Sequence, residues 1–138
     1  MKHLLLFFAV VTLLTSCSVD SRDTTTVVNL NVSVQDWQIN SDAANSNPLY
    51  YSYTFSMPEI NSFVYGQGLV QAYIVFDGAQ QPLPYVQHYQ GTDGTNTWIW
   101  TRTIDFRYSP GELTVYVTNS DFFTDPPEAM NFRVVLVR

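Results

Sequence analysis

Apolar and polar residues alternate along most of the chain beyond residue 25. An alternation with a period of two places successive side chains on opposite faces of a β-strand, so each such run predicts a strand with one buried face. The clearest runs occupy residues 28–34, 51–57, 113–118 and 132–136. Residues 69–76 form a nearly continuous apolar run, which predicts a further strand that ends at the turn-forming pair Asp77-Gly78.

Turn-forming residues separate these runs at short intervals. Residues 91–96 are rich in Gly, Thr, Asp and Asn, and they predict the loop of a hairpin that joins strands at 83–89 and 97–107. No stretch has a helical period of useful length. About seven strands separated in this way predict an all-β fold, and we favour a two-sheet antiparallel sandwich of immunoglobulin-like type over a closed barrel.

More detailed predictions can be made for the first and last parts of the predicted β-domain. At the carboxyl end, Phe132, Val134 and Leu136 are expected to face inward while Arg133 faces outward, so the last strand should be paired inside a sheet. Near the start of the domain the alternation changes phase at Asp36, which predicts a bulge or a bend. Trp37 begins the new apolar phase and is expected in the core.

The first residues have the features of an export signal. Lys2 precedes an apolar run of 11 residues from Leu4 to Leu14, interrupted only by Thr12. That run is too short to span a bilayer, which needs about 20 apolar residues, but it has the length of a secretory signal peptide. The segment Leu14-Thr15-Ser16-Cys17 resembles the lipobox of bacterial lipoproteins, in which small residues stand between an apolar residue and a cysteine.

The lipobox resemblance implies cleavage before Cys17, a diacylglyceryl thioether on its sulfur and acylation of the new amino terminus. Ser18 follows the cysteine, which by the same resemblance favours the outer membrane as the site of anchoring. The resemblance does not distinguish the periplasmic face of that membrane from the cell surface. An ordinary signal peptide with a chance cysteine is the weaker alternative. The chain then divides into a signal peptide at 1–16, a lipidated tether at 17–25 and one β-sandwich domain at 26–138.

Two patches of the domain resemble a group of short bacterial lipoproteins with no assigned activity. One patch runs from Tyr51 to Ile60 and continues at Gly68 and at Leu83-Pro84-Tyr85; the other is the final strand, with its Phe-Arg-Val-Val run at 132–135. The resemblance implies the fold and the lipid anchor. It implies no chemistry, because its motifs are structural.

Composition and charge exclude several classes of function. The 138 residues fit one domain and include 12 acidic against 6 basic side chains, and removal of residues 1–16 leaves five Arg, no Lys and a side-chain charge of −7. Nucleic-acid affinity rests largely on Lys and Arg, so nucleic acid is not an expected partner. The single Cys excludes an internal disulfide framework and a multi-Cys zinc site.

Few side chains of the mature chain could carry catalysis. His88 is its only imidazole, no Gly-x-Ser-x-Gly elbow accompanies it, and its expected place is the surface or edge of a strand. Asp121, Asp125 and Glu128 could offer oxygen ligands to calcium, but their spacing does not match an EF-hand loop, and solvated acids are the simpler interpretation. We therefore predict that the protein is not an enzyme, with no catalytic residue, metal or cofactor.

Trp98 and Trp100 are the candidate binding residues. They share a face of the predicted 97–107 strand with Ile104, but also with Arg102, whose guanidinium would need polar partners if that face were core. In one interpretation both tryptophans fill the core, and we favour it because most large aromatics in small sandwiches do so. In the other, the strand extends past the core, and the indoles form a surface for sugar rings or for apolar side chains of a partner.

These observations lead to one principal hypothesis for function. The chain is expected to be a lipid-anchored protein of the cell envelope that binds a glycan or another envelope protein without catalysis. The membrane is its expected partner through the lipid on Cys17. A small hydrolase acting on glycan or peptide through Asp and Glu side chains is the first alternative, and a purely structural envelope component is the second.

Overall fold

The computed structural model describes residues 24–40, 49–122 and 125–138. The predicted signal peptide and Cys17 lie outside the described residues. The described parts contain nine strands, one helix and a short 3-10 turn at Val34–Asp36. The elements are β1 (Thr25–Val32), β2 (Gln38–Asn40), β3 (Tyr50–Met57), α1 (Ser62–Gln67), β4 (Leu69–Phe76), β5 (Ala79–Pro82), β6 (Tyr85–Thr92), β7 (Thr97–Ser109), β8 (Gly111–Asn119) and β9 (Met130–Val137).

The strands form two antiparallel sheets that pack face to face. The first sheet has the order β1-β9-β4-β5 and the second has the order β2-β3-β8-β7-β6. This arrangement confirms the predicted two-sheet antiparallel sandwich, with nine strands in the described residues where about seven were expected. The two additional strands are β2, with three residues, and β5, with four, which are too short for an alternation to be recognised.

The core is built from the inward-facing residues of both sheets. In the first sheet, Phe132, Val134 and Leu136 of β9 are almost fully buried, as the alternation at the carboxyl end predicts. In the second sheet, alternate residues of β8 such as Leu113 and Val115 are fully buried and face them. Strand β9 lies between β1 and β4, which confirms that the last strand is paired inside a sheet.

Two local features depart from or refine the predicted pattern. The phase change at Asp36 is a 3-10 turn, after which Trp37 enters the core with 7% of its surface exposed. The helix α1 was not predicted, because six residues provide less than two turns of helical period. Asn61 begins it by accepting hydrogen bonds from the backbone N–H groups of Phe63 and Val64 at 3.0 and 2.9 Å.

The sandwich has two distinct ends. At one end the described chain begins, and Thr24 exchanges backbone hydrogen bonds with Arg138. At the other end β1 finishes and β9 starts, with Val32 paired to Met130. The eight residues of β9 separate these ends by about 23 Å, at a rise of ~3.3 Å per residue. We call them the tether end and the far end. No helix within the described ranges has the length and apolarity needed to cross a membrane.

Candidate functional site

The β6–β7 hairpin extends past the rest of its sheet at the far end. The pairing of β7 with β8 stops at Arg102 and Asn119, whereas β6 and β7 stay paired as far as Thr92 and Thr97. The face of β7 that buries Ile104 in the core therefore continues outward beyond the sandwich. Arg102, Trp100 and Trp98 follow Ile104 on that face, in that order toward the hairpin tip.

Trp98 is exposed on this extension. Its side chain keeps 47% of its surface accessible, so the favoured expectation that both tryptophans fill the core is wrong for this residue. The physical reason is that, within the described residues, the pairing of β7 with β8 stops at Arg102, so Trp98 lies on a part of the hairpin that has only two strands. The indole instead lies over Gly91 on the paired strand, where a Cβ atom would come within 2.6 Å of its Cε2 and Nε1 atoms. Gly91 thus lets the ring lie against the backbone.

Trp100 is half-buried, and it also lies outside the core cluster. Its ring stacks on Tyr89 across the hairpin, with ring centroids 5.3 Å apart and planes inclined by 13°. The guanidinium carbon of Arg102 lies 5.2 Å from the centroid of the same tyrosine. Burial raises the pKa of the Tyr89 phenol, against the opposing charge of Arg102. The protonated hydroxyl donates to Oε1 of Gln87 at 3.1 Å.

Arg102 connects the hairpin to the loop that leads into β9. Its Nε donates to Oδ1 of Asn119 at 2.9 Å, and its Nη1 donates to both carboxylate oxygens of Glu128 at 2.8 Å. The arginine side chain is 13% exposed and that of Glu128 is 59% exposed. The backbone carbonyl of Glu128 in turn accepts from Nε1 of Trp37 at 3.2 Å, which ties the loop to the core. Arg102 therefore has the polar partners that its position demands.

Between the hairpin and this loop lies a groove of about 430 Å³, which we call the aromatic groove. Its volume falls within the range of small-molecule sites. It is lined by Trp98, Trp100, Arg102, Asn119, Asp121, Asp125 and Pro126. The structure thus brings both predicted binding residues into one concave surface. Asp121 and Asp125, which the sequence suggested only as weak calcium ligands, contribute carboxylates to the same surface.

The loop at the hairpin tip is held by one carboxylate. Oδ1 of Asp93 accepts hydrogen bonds from the backbone N–H groups of Asn96, at 2.7 Å, and of Thr95, at 2.9 Å. These bonds lower the pKa of the Asp93 carboxyl, because they stabilise its charged form. The tip is therefore an internally bonded turn, which fixes the ends of the two strands that carry the aromatic residues.

The remaining candidates lie apart from the groove or do not assemble a site. His88 is exposed on the edge strand β6, as expected, and its Nδ1 lies 2.9 Å from Oγ1 of Thr101. Over the described ranges, no three His, Cys, Asp or Glu side chains come together as a metal site. Comparison with protein-family models, with curated proteins and with solved structures finds no match to this chain.

Three contributors to the groove were not identified as candidate residues from the sequence, and a fourth, Glu128, was considered only as a calcium ligand. Tyr89 belongs to the predicted 83–89 strand without a predicted role, and Gly91 is predicted only as a turn former. Nothing in the local sequence indicates that Asn119 or Glu128 contacts Arg102, since these residues lie 17 and 26 positions from it along the chain. The one available indication was that Arg102 shares a strand face with Ile104. A guanidinium in that position needs polar partners, but the sequence does not identify them.

Proposed function

We propose that this protein is a non-catalytic glycan-binding module of the cell envelope, held at the outer membrane by lipid on Cys17. The observation that carries the proposal is the half-exposed indole of Trp98, which lies close against Gly91 within a groove that also holds polar side chains. The lipid anchor rests on the lipobox at Leu14-Thr15-Ser16-Cys17.

The chemistry of the groove suits a sugar better than a wholly apolar ligand. A pyranose ring has C–H faces that pack on an indole, and hydroxyl groups at its edge that need hydrogen-bond partners. Trp98 offers an apolar surface, while Asp125 offers a carboxylate group in the same lining. The stacking of Trp100 on Tyr89 and the bonds of Arg102 hold the surrounding side chains in place, which lowers the ordering cost of binding.

The position of the groove is consistent with a tethered binding protein. The chain enters the domain at Thr24, at the tether end, and the aromatic groove lies at the far end. Six residues lie between Cys17 and Thr24, so the chain from one to the other spans at most about 25 Å. A domain anchored in this way presents its groove away from the lipid surface, toward polymers that lie beyond the membrane.

Affinity measurements on the purified lipoprotein in detergent test this proposal. Mass spectrometry should first find acyl chains on Cys17, and an unmodified thiol would contradict the anchor. Isothermal titration against a panel of soluble oligosaccharides should then detect binding to at least one of them. Trp98→Ala should weaken that binding at least tenfold, because it removes the stacking surface.

Ile99→Ala is the matched control. Ile99 is the neighbour of Trp98 on the opposite face of β7 and is 72% exposed, so its removal should leave the affinity unchanged. The proposal fails if the wild-type protein binds no member of the panel, or if both variants bind as the wild type does. Release of new reducing ends during the titration would instead favour the hydrolase alternative.

A further inference from the structure

The charges of the aromatic groove point to a narrower class of ligand. The lining contains one cation, Arg102, and its charge is matched by Glu128, with Nη1 2.8 Å from Oε2. Two further carboxylates, those of Asp121 and Asp125, belong to the lining. The described part of the groove therefore carries more negative than positive charge.

The other described arginines lie elsewhere on the molecule. The guanidinium carbon of Arg107 is 5.4 Å from the ring centroid of Tyr116, on the outer face of the second sheet. Arg133 alternates with the buried residues of β9 and belongs to the outer face of the first sheet. Arg138 is bonded to Thr24 at the tether end. The mature side-chain charge of −7 adds a general negative field to that of the groove.

Aromatic faces and carboxylates attract the same kind of ligand group. The π-face of an indole carries partial negative charge and binds cations, and tryptophan is the strongest of the aromatic side chains in this respect. Trp98 and Trp100 place two indoles in the lining that holds Asp125. In a partly enclosed groove such attractions are screened less than at an open surface.

We infer that the aromatic groove selects a glycan bearing free, protonated amino groups. This inference rests on the proposed function and specifies its ligand. An ammonium group on the sugar contacts the indole faces and pairs with a carboxylate of the lining, while the sugar ring packs on Trp98. Acidic glycans such as uronic acid polymers are excluded, because their carboxylates meet the like charges of Asp121 and Asp125.

Three oligosaccharides of equal length separate the outcomes: fully de-N-acetylated glucosamine oligomers, their N-acetylated counterparts and oligogalacturonate. Isothermal titration of the full lipoprotein, at a pH that protonates the amines, should show the de-N-acetylated oligomer binding at least tenfold more tightly than the N-acetylated one. Oligogalacturonate should not bind. Raising the salt concentration should reduce the difference in affinity between the de-N-acetylated and the N-acetylated oligomer.

Two variants locate the effect. Asp125→Asn should weaken binding of the de-N-acetylated oligomer about three- to tenfold and leave the N-acetylated oligomer unaffected. Glu112→Gln makes the same change of charge where β8 begins, at the opposite end of that strand from Asn119, and should change neither affinity. Equal losses in the two variants would mean that the attraction is a general effect of net charge, and would overturn the inference.

The remaining outcomes distinguish the inference from the proposed function. Equal affinity for the de-N-acetylated and N-acetylated oligomers, with both lost in Trp98→Ala, would overturn the inference and leave glycan binding intact. Tightest binding of oligogalacturonate would do the same. Absence of binding to all three oligosaccharides, together with failure on the wider panel, would overturn the proposed function and the inference with it.

Discussion

The even-numbered residues of β7, from Trp98 to Phe106, lie on the same face of the strand. The two halves of that face nevertheless have different surroundings. In the half that lies under the first sheet, Ile104 is 1% exposed and Phe106 packs against the core. In the half beyond Arg102, Trp98 is 47% exposed on a two-stranded extension. The side chains of both halves lie on the same face of the strand. The presence of a covering layer therefore decides which of these residues are core and which are available for binding.

The largest expected effect concerns the core half. Ile104→Ala removes three buried carbons from a packed interior and should lower the free energy of unfolding by about 2–5 kcal/mol. Trp98→Ala, although it deletes a larger side chain, should cost about 1 kcal/mol or less, because half of the ring already faces solvent. Urea denaturation monitored by circular dichroism measures both. Equal losses would show that the extension is an integral part of the core.

An intermediate effect is expected at the boundary between the halves. Arg102→Ala leaves the buried amide of Asn119 and the carboxylate of Glu128 without their donor, and should reduce stability by about 1–2 kcal/mol. The value is modest because Glu128 is 59% exposed and its ion pair is screened. Arg107→Ala, on the outer face, is the control and should cost less. If the two variants lose the same stability, Arg102 does not join the hairpin to the loop.

The smallest effect on stability, but a clear one on binding, is expected from Gly91→Ala. The added Cβ would come within 2.6 Å of the Trp98 ring, so the indole must move away from the backbone. The oligosaccharide affinity should fall about tenfold even though every lining side chain is retained. Gly66→Ala, in α1, meets no atom within 4 Å and controls for loss of a glycine elsewhere. Unchanged affinity in Gly91→Ala would show that the position of the ring is unimportant.

The sequence predicts the fold well because the sandwich is encoded locally. An alternation of period two is visible within a single strand, and it correctly assigned the buried residues of β9 and the core position of Trp37. The candidate site was predictable only in part. Trp98 and Trp100 could be selected as candidates from the sequence. Their exposure, however, depends on how far β7 extends beyond β8, which is set by the register between the two strands.

The partners of Arg102 illustrate the same limit. Glu128 lies in a loop whose path no periodicity determines, and its contact with Arg102 spans 26 residues. The place of Arg102 on the same strand face as Ile104 indicates that its guanidinium needs polar acceptors, but it does not identify them. Contacts of this kind arise only when the two sheets are assembled, so they become visible at the level of tertiary structure.

The pairing of Gly91 with Trp98 has a consequence for how such sites change over time. A residue without a side chain leaves room for the indole close to the backbone, so the effect of a substitution at position 91 depends on which residue occupies position 98. A tryptophan acquired on this hairpin opposite a larger residue would have to lie further from the backbone than Trp98 does.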